Sequence, residues 1–497
     1  MVEALFQALG NIANLEVLAV MVIGVVVGLI FGILPGIGGM SALAIFMSFV
    51  WGKDPVLALT FLLAILAATS QGGSVTTILL NVPGDSTNAA TLLDGYPMGK
   101  KGQAGRALGI VLAGSALGGL FGGIVLLALL PVMRPVVMAF GSSETFMMVV
   151  LGLVFMAIIA KESLMKGFIA GAIGLAMSLF GLQSNTAISR FDFGQLYLED
   201  GVQLIPLTLG IFAIPEVVDI MARGDSLNQK AGLFAVQGKQ VIEGVKDVFR
   251  HFFLFLRCSV IGTVVGIIPG IGAHTATFMA YGHAKQTSKH PEEFGQGSIE
   301  GVLAPESASN AKEGGALLTT LGFGIPGSSA MALLLGAFIV VGIQPGPKML
   351  EEHLGLAVWL GWTLIIANVG SSILLLFTAK QMVRMTFLKA RILAPIILVF
   401  VAIGAYASRE NIFDVLMVFI FGALGYGAKV LDYPRAPIML GFVLGALAEK
   451  YFLISTQAFG AAFLLRPVTL VILVLILVTV AFDLRNREIQ KRKGMVA

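Results

Sequence analysis

The chain has 497 residues, 57% of them hydrophobic and 12% charged, with a mean hydropathy of +0.93. Soluble domains carry roughly 25% charged residues, so a soluble globular fold is excluded and an all-α polytopic membrane protein follows. The net charge of +4 fits basic cytoplasmic loops rather than a nucleic-acid face, and the single cysteine, Cys258, excludes an internal disulfide framework.

No Lys or Arg precedes Lys53, and Glu3 and Glu16 flank the first apolar run. That pattern lacks the basic start of a signal peptide and predicts an uncleaved first helix with an external N-terminus. Residues 15–34 predict the first span, and windows at 108–130, 147–160, 358–378 and 468–482 predict others. At about 20 residues per span the chain holds about ten to twelve helices, broken ones counted once.

The first span runs into Gly32-Ile33-Leu34-Pro35-Gly36-Ile37-Gly38-Gly39, and the phrase returns as Gly266-Ile267-Ile268-Pro269-Gly270-Ile271-Gly272-Ala273, 269 − 35 = 234 residues later. A backbone inside a bilayer breaks only where something other than lipid satisfies its N–H and C=O groups. Paired breaks at matching places mark a transporter built from repeats, with its site at the breaks. A single Pro-Gly break more often means a packed kink; four in two pairs argue for a site. Gly-x-x-x-Gly spacings at 28/32, 118/122 and 262/266 read as close helix packing.

A second break follows in each half. The first runs from Gln71 through Thr76-Thr77 and Asn81-Val82-Pro83-Gly84-Asp85-Ser86; the second runs from Gly314 through Thr319-Thr320 and Gly324-Ile325-Pro326-Gly327-Ser328-Ser329, offset 326 − 83 = 243. Proline suits the first position of a helix, so Pro35, Pro83, Pro269 and Pro326 each open a half-helix. The unpaired N–H groups after them carry the positive helix end and attract a carboxylate. Carbonyls ending the preceding half-helix, with Ser, Thr and Asn oxygens, suit a hard cation. The substrate-binding candidates are therefore Pro35, Gly36, Gly38, Pro269, Gly270, Gly272, Pro326, Gly327 and Ser328, joined by Ser86, Asn88, Ser307 and Asn310. The cation-binding candidates are Thr76, Asn81, Asp85, Thr319 and Ser329. Asp85 reads equally as a helix-start residue, and Ser86, Thr87 and Asn88 as loop residues.

Between the second half's breaks lies a polar run, 305–315, whose charges face a cavity or a partner: Lys312 either forms a neutral structural pair with Glu306 or Glu313 or lines the cavity. His274 stands where the first half has Met40 and is either a packed histidine or a proton or substrate contact. Basic clusters at 100–106, 161–166, 223–257, 380–391, 429–435 and 485–493, placed in the cytoplasm, thread the chain consistently. Polar segments 183–203 and 283–296 then fall outside. The resulting division is a first membrane repeat (1–222), a cytoplasmic linker (223–251), an inverted second repeat with extra C-terminal spans (252–484) and a basic cytoplasmic tail (485–497). Residues 95–100 have too short a spacing for a phosphate loop. Neither the paired Asp-rich motifs of prenyl transfer nor a Gly-x-Gly-Asp protease motif is present, so a non-enzymatic protein is expected.

The paired Gly-x-Leu/Ile-Pro-Gly-Ile-Gly breaks, the Asn-x-Pro-Gly-Asp-Ser tip, the run 304–311 and Gly322-Phe323-Gly324-Ile325-Pro326-Gly327-Ser328 together resemble the large membrane subunit of the tripartite tricarboxylate transporters, TctA type, over essentially the whole chain. The resemblance implies a multi-pass secondary carrier of the bacterial inner membrane, in which the charge pattern above gives a periplasmic N-terminus and a cytoplasmic C-terminus. It implies import of citrate or a related carboxylate with Na⁺ or H⁺ and no other cofactor. The implied partners are a small membrane subunit and a periplasmic substrate-binding protein. A stand-alone carboxylate carrier is the alternative within transport, and an intramembrane enzyme a remote one.

Overall fold

A computed structural model describes residues 6, 8, 10–12, 14–34, 38–159, 164–183, 188–223, 238–268, 272–385 and 390–492. The described chain is almost entirely helical, as its composition requires. Its strands are a two-residue pairing, Gly181–Leu182 with Ser189–Arg190.

The first half contains α1 (Leu15–Ile33), α2 (Gly38–Met47), α3 (Pro55–Leu80), α4 (Ala89–Met98), α5 (Ala104–Met138), α6 (Ser142–Ile159), α7 (Leu164–Ser178) and α8 (Leu204–Ala222). After the centre come α9 (Gly238–Arg250), α10 (Phe252–Ile267), α11 (Gly272–Thr287), α12 (Ile299–Phe323) and α13 (Ser329–Val340). The remaining helices are α14 (Leu354–Met385), α15 (Ala390–Arg409), α16 (Ile412–Val430), α17 (Arg435–Phe459) and α18 (Pro467–Arg492).

Among the described residues eight helices are long and apolar enough to cross a membrane, or nine if the bent pair α9–α10 forms one span. Five further apolar helices of the described chain run 10–17 residues. The breaks cut α2 and α13 below spanning length, and α12 is long enough but carries Glu300, Glu306, Lys312 and Glu313. The protein is nonetheless a multi-pass membrane protein.

Two helices form the centre. Every residue of α12 from 301 to 322 is buried, and so is α3 from Ala58 to Leu80 apart from Phe61 and Ser70. Because neither meets lipid, each tolerates polar residues that an exposed span could not. Helix α1 lies along α3, α10 along α12, α5 along α12, and α14 against both α3 and α5. The first two pairings use the same contact. A Cβ at Gly28 would land on the Ile65 carbonyl, and one at Gly262 would land on the Ala308 carbonyl. The offsets are 262 − 28 = 234 and 308 − 65 = 243, those of the two breaks. Gly118 and Gly122 likewise admit the Ser307 and Ala311 backbone, so the Gly-x-x-x-Gly spacings do serve close packing.

Residues 224–237 of the expected linker lie outside the described residues, but its remainder is ordered helix. Val241, Gly244, Asp247 and Val248 of α9 are buried, and Arg106 of α5 clamps Asp247 through Nε–Oδ2 at 2.5 Å and Nη2–Oδ1 at 3.1 Å. The chain then turns by 76° into α10. The charges of this stretch disguised an amphipathic helix whose apolar residues recur at helical spacing. At the other polar segment, Arg190 grips Glu449 of α17 with bonds of 2.8 and 3.0 Å, tying the 181–190 hairpin to the bundle. Helix α18 continues into the expected tail as far as Arg492.

Gly262→Val forces atoms into the Ala308 backbone and is expected to cost about 3 kcal/mol, read as a lower melting temperature in detergent. Gly282→Ala, where nothing lies within 4 Å of the new Cβ, is expected to melt at or above the wild-type temperature because helical alanine is favoured over glycine.

Candidate functional site

The first tip, between α3 and α4, is assembled by local rules. Asn81 ends α3 in the left-handed region at φ 59, which Asn tolerates better than most residues. Asp85 then caps the next turn. Its Oδ1 accepts from the Thr87 amide at 3.4 Å, and its own amide donates to Asn88 Oδ1 at 3.1 Å, a capping box.

The second tip follows the same plan 243 residues on (324 − 81 and 328 − 85). Gly324 takes the left-handed end of α12 at φ 67, and Ser328 caps α13 by accepting from the Met331 amide at 3.3 Å. Between end and cap, Gly84 is pressed against Gly73 and the Gly32 carbonyl, and Gly327 against Ala316 and the Gly266 carbonyl.

The short helices of the two halves meet at the first tip. The Gly39 amide, in the first turn of α2, donates to Asp85 Oδ2 at 3.2 Å. His274, in the first turn of α11, holds Nδ1 3.1 Å from the Ser86 carbonyl oxygen while its ring packs 4.6 Å from Phe278. The first turns of α2 and α11 therefore both contact residues 85–86, α2 through a backbone amide and α11 through the His274 side chain, and the positive end of α2 is faced by the Asp85 carboxylate.

Behind the tip, a buried polar seam joins α3 to α12 and α14. Ser70 Oγ lies 3.1 Å from Ser309 Oγ and 3.4 Å from Thr87 Oγ1. Asn88 Nδ2 donates to the Ser70 carbonyl at 2.9 Å and to Ser74 Oγ at 2.7 Å. Gln71 donates to Asn368 and accepts from the Ser371 and Ser372 hydroxyls at 2.7 and 2.9 Å. Asn310 Nδ2 donates to Asn368 Oδ1 at 2.6 Å, while Asn310 Oδ1 has no partner among the described residues.

Two ionisable clusters border this seam. Lys312 Nζ and Glu313 Oε1 pair at 2.6 Å, which decides between the two pairings left open by the sequence. Glu306 instead receives hydroxyls from three other helices: Ser74 and Thr91 donate to Oε1 at 2.7 Å each and Ser115 to Oε2 at 2.8 Å. Nearby, Asp94 Oδ1 accepts from the Gly295, Gly297 and Ser298 amides at 2.7–2.8 Å, and Oδ2 accepts from the Tyr281 hydroxyl at 2.9 Å. This ties α4 to the start of α12.

The sequence-derived site residues divide accordingly. Pro35, Gly36, Pro269 and Gly270 lie outside the described residues. Gly38, at φ 63, begins α2 beside Asp85, and Gly272 begins α11. Asp85 stands at the start of α2, with the Gly39 amide on its Oδ2 and the Ser86 hydroxyl on its Oδ1. Ser86 is exposed at the tip with its hydroxyl on Asp85 Oδ1, and Asn81 is exposed beside it. Asn88 is wholly buried, its amide group spent on the capping box and the seam.

Pro326, Gly327 and Ser328 are buried at the second tip, and Ser329 is half-buried at the start of α13. Thr76 and Thr319 give their hydroxyl protons to the Gly73 and Ala316 carbonyls at 2.9 and 3.1 Å, leaving only lone pairs to offer. Ser307 bonds back to the Leu303 carbonyl and packs on α5, away from the tip. Sequence reasoning missed Ser70, Gln71, Ser74, Thr91, Ser115 and Asn368. Their signal was present: polar residues three or four apart on otherwise apolar helices.

The tripartite tricarboxylate transporter TctA family matches residues 18–440. The chain belongs to that family. It is 36% identical over 453 residues to an "Uncharacterized 52.8 kDa protein in TAR-I ttuC' 3'region" of Agrobacterium vitis, an alignment covering 90% of this chain and 89% of that relative. A second relative from Agrobacterium vitis, an "Uncharacterized protein in TAR-II ttuC' 3'region", is 38% identical over 226 residues, 45% of this chain and 93% of its own. No solved structure matches the chain. As a TctA-family protein the chain is a tricarboxylate transporter subunit, a component of a tripartite assembly.

The Lys312–Glu313 pair yields a stability test for this TctA-family subunit. Lys312→Met strands a buried carboxylate and is expected to cost about 3–5 kcal/mol, whereas Lys312→Met with Glu313→Leu is expected to recover most of that loss. Thermal unfolding in detergent reads both.

Proposed function

We propose that this subunit imports a carboxylate, citrate or a related di- or tricarboxylate, across the bacterial inner membrane by Na⁺ or H⁺ symport. A periplasmic binding protein feeds it, and a small membrane subunit completes the assembly. The observation that carries this reading is the convergence of α2 and α11, one short helix from each half, on residues 85–86. The positive end of α2, with the first turn of α11 beside it, favours a carboxylate anion there. The broken backbone brings N–H groups to that place without side chains in the way.

Asp85 supplies the coupling. Its carboxylate already faces the α2 end, so an incoming carboxylate meets a like charge until a cation joins Asp85. Cation and substrate then bind favourably only together, which is the requirement for symport. Oxygens of Thr76, Asn81, Thr319, Ser328 and Ser329 lie on or beside the same broken elements and complete the cation sites.

The halves are proposed to be inverted repeats. Ser70 and Ser74 of α3 meet Ser309 and Glu306 of α12 in reversed order, so these equivalent helices cross in opposite directions, as a two-fold axis in the membrane plane requires. With the N-terminus periplasmic and the C-terminus cytoplasmic, residues 1–222 and 252–484 form the two bodies. Movement of one against the other opens the site inward.

The test is uptake of labelled di- and tricarboxylates into proteoliposomes, with and without the two partner subunits, under imposed Na⁺ or H⁺ gradients. Accumulation that needs the partners and a cation gradient is expected; no gradient-linked uptake of any acid overturns the reading. Gly38→Val or Gly272→Val is expected to abolish uptake with insertion intact. Asp85→Asn is expected to leave substrate exchange measurable while flattening its cation dependence.

A further inference from the structure

Glu306 is 1% exposed, and no Lys, Arg or His side chain bonds to it among the described residues. A bare carboxylate so buried is strongly disfavoured unless a positive charge neutralises it. We propose that Glu306 is a reversible proton-binding site, separate from the tip, through which this subunit senses or carries H⁺; the proposal rests on the transporter reading above.

Three features point to a proton. The partners are hydroxyls of Ser74, Thr91 and Ser115, and a hydroxyl both donates and accepts. When the carboxylate is ionised, all three donate to it. When a proton binds Oε2, the Ser115 hydroxyl rotates to accept it, and the other two bonds stay. Both charge states are therefore satisfied without moving a helix, which a fixed cation partner would not allow.

The second feature is asymmetry. At the repeat offset of 243, Glu306 corresponds to Leu63, Ser74 to Leu317 and Thr91 to Leu334 (306 − 63, 317 − 74, 334 − 91). The equivalent place in the other half is apolar, so the architecture folds without such a cluster. The third is connection to the tip: Asp85 N–H to Asn88 Oδ1, Asn88 Nδ2 to Ser74 Oγ, and Ser74 Oγ to Glu306 Oε1, at 3.1, 2.7 and 2.7 Å.

Other charged groups around α12 are engaged or distant. Helices α3 and α13 and the turn 86–88 carry no titratable group, and α14 carries none before Lys380. Asp94 of α4 is bound by three amides and Tyr281, and Lys312 pairs with Glu313. Arg106 of α5 is held by Asp247, and Arg257 of α10 is exposed. Tyr96 of α4 lies under the Lys100 ammonium. On α11, His274 is on the Ser86 carbonyl, His283 is half-buried and Lys285 is exposed. Arg134 on α5 and Lys348, Glu351 and Glu352 lie towards the far end of α12, where the Gly346 amide meets the Leu321 carbonyl.

The experiment combines infrared spectroscopy with transport. Purified wild-type protein titrated across pH is expected to show the C=O band of a protonated, hydrogen-bonded carboxylic acid. The band is lost in Glu306→Gln and shifted in frequency in Ser115→Ala, which keeps the carboxyl and removes one partner. In proteoliposomes with the partner subunits, Glu306→Gln is expected to retain substrate counterflow but to lose at least ten-fold of the accumulation driven by a pH gradient. A titrating band that persists in Glu306→Gln, or is unshifted in Ser115→Ala, overturns the proposal, as does wild-type accumulation by Glu306→Gln. Absence of substrate counterflow in the wild type would instead overturn the transporter reading, and the infrared result would still decide Glu306.

Discussion

Inside a bilayer every backbone N–H and C=O must find a partner within the protein, and the two tips answer that demand in the same way. Each central helix ends in a left-handed residue, Asn81 or Gly324, and each following helix begins on a side-chain cap, Asp85 or Ser328. Between them a glycine allows the turn to press against the neighbouring helix pair. With the ends satisfied, the chain interrupts its helices while keeping most of the broken backbone hydrogen-bonded or packed. The short helices, the polar seam and the meeting at residues 85–86 all depend on those interruptions.

The second dependence is on burial. Helices α3 and α12 are shielded from lipid by α1, α5, α10 and α14, so their environment is protein rather than hydrocarbon. Serine, glutamine, asparagine and glutamate are stable there because each finds hydrogen-bond partners across the interface. Hydroxyls and amides in such a seam exchange partners at small energetic cost compared with breaking a charged pair. The Lys312–Glu313 pair, by contrast, sits on a single helix and adds no bond between the halves.

The two halves share a frame but differ in chemistry. Asp85 has the neutral Ser328 as its counterpart, and the cluster around Glu306 has leucines in the corresponding places. The shared glycine contacts and tip caps recur at fixed offsets, while the ionisable groups occur in one half only at these places. Glycine contacts that recur at the same offsets belong to the frame; the titratable residues do not.

Much of this was legible in the chain itself. The doubled Pro-Gly phrases, their offsets and the all-helical membrane class follow from sequence, because helix breaks and apolar composition act locally. Helix α12 would not qualify as a span by hydropathy, because burial by other helices rather than by lipid is invisible to composition. Residues 238–250, whose charges dominate their composition, form an amphipathic helix within the expected linker.

What sequence determined by itself is therefore the set of local choices: where helices break, which residues cap them and which spacings pack closely. Only the tertiary structure decided which distant groups meet. It placed Asp85 on the end of α2, brought His274 to the same tip, paired Lys312 with Glu313 rather than Glu306, and surrounded Glu306 with hydroxyls from three helices. The physical reason is that a cap or a kink is set within a few residues, whereas a buried polar contact depends on the relative rotation of helices far apart in the chain, 232 positions between Ser74 and Glu306 and 301 between Gln71 and Ser372.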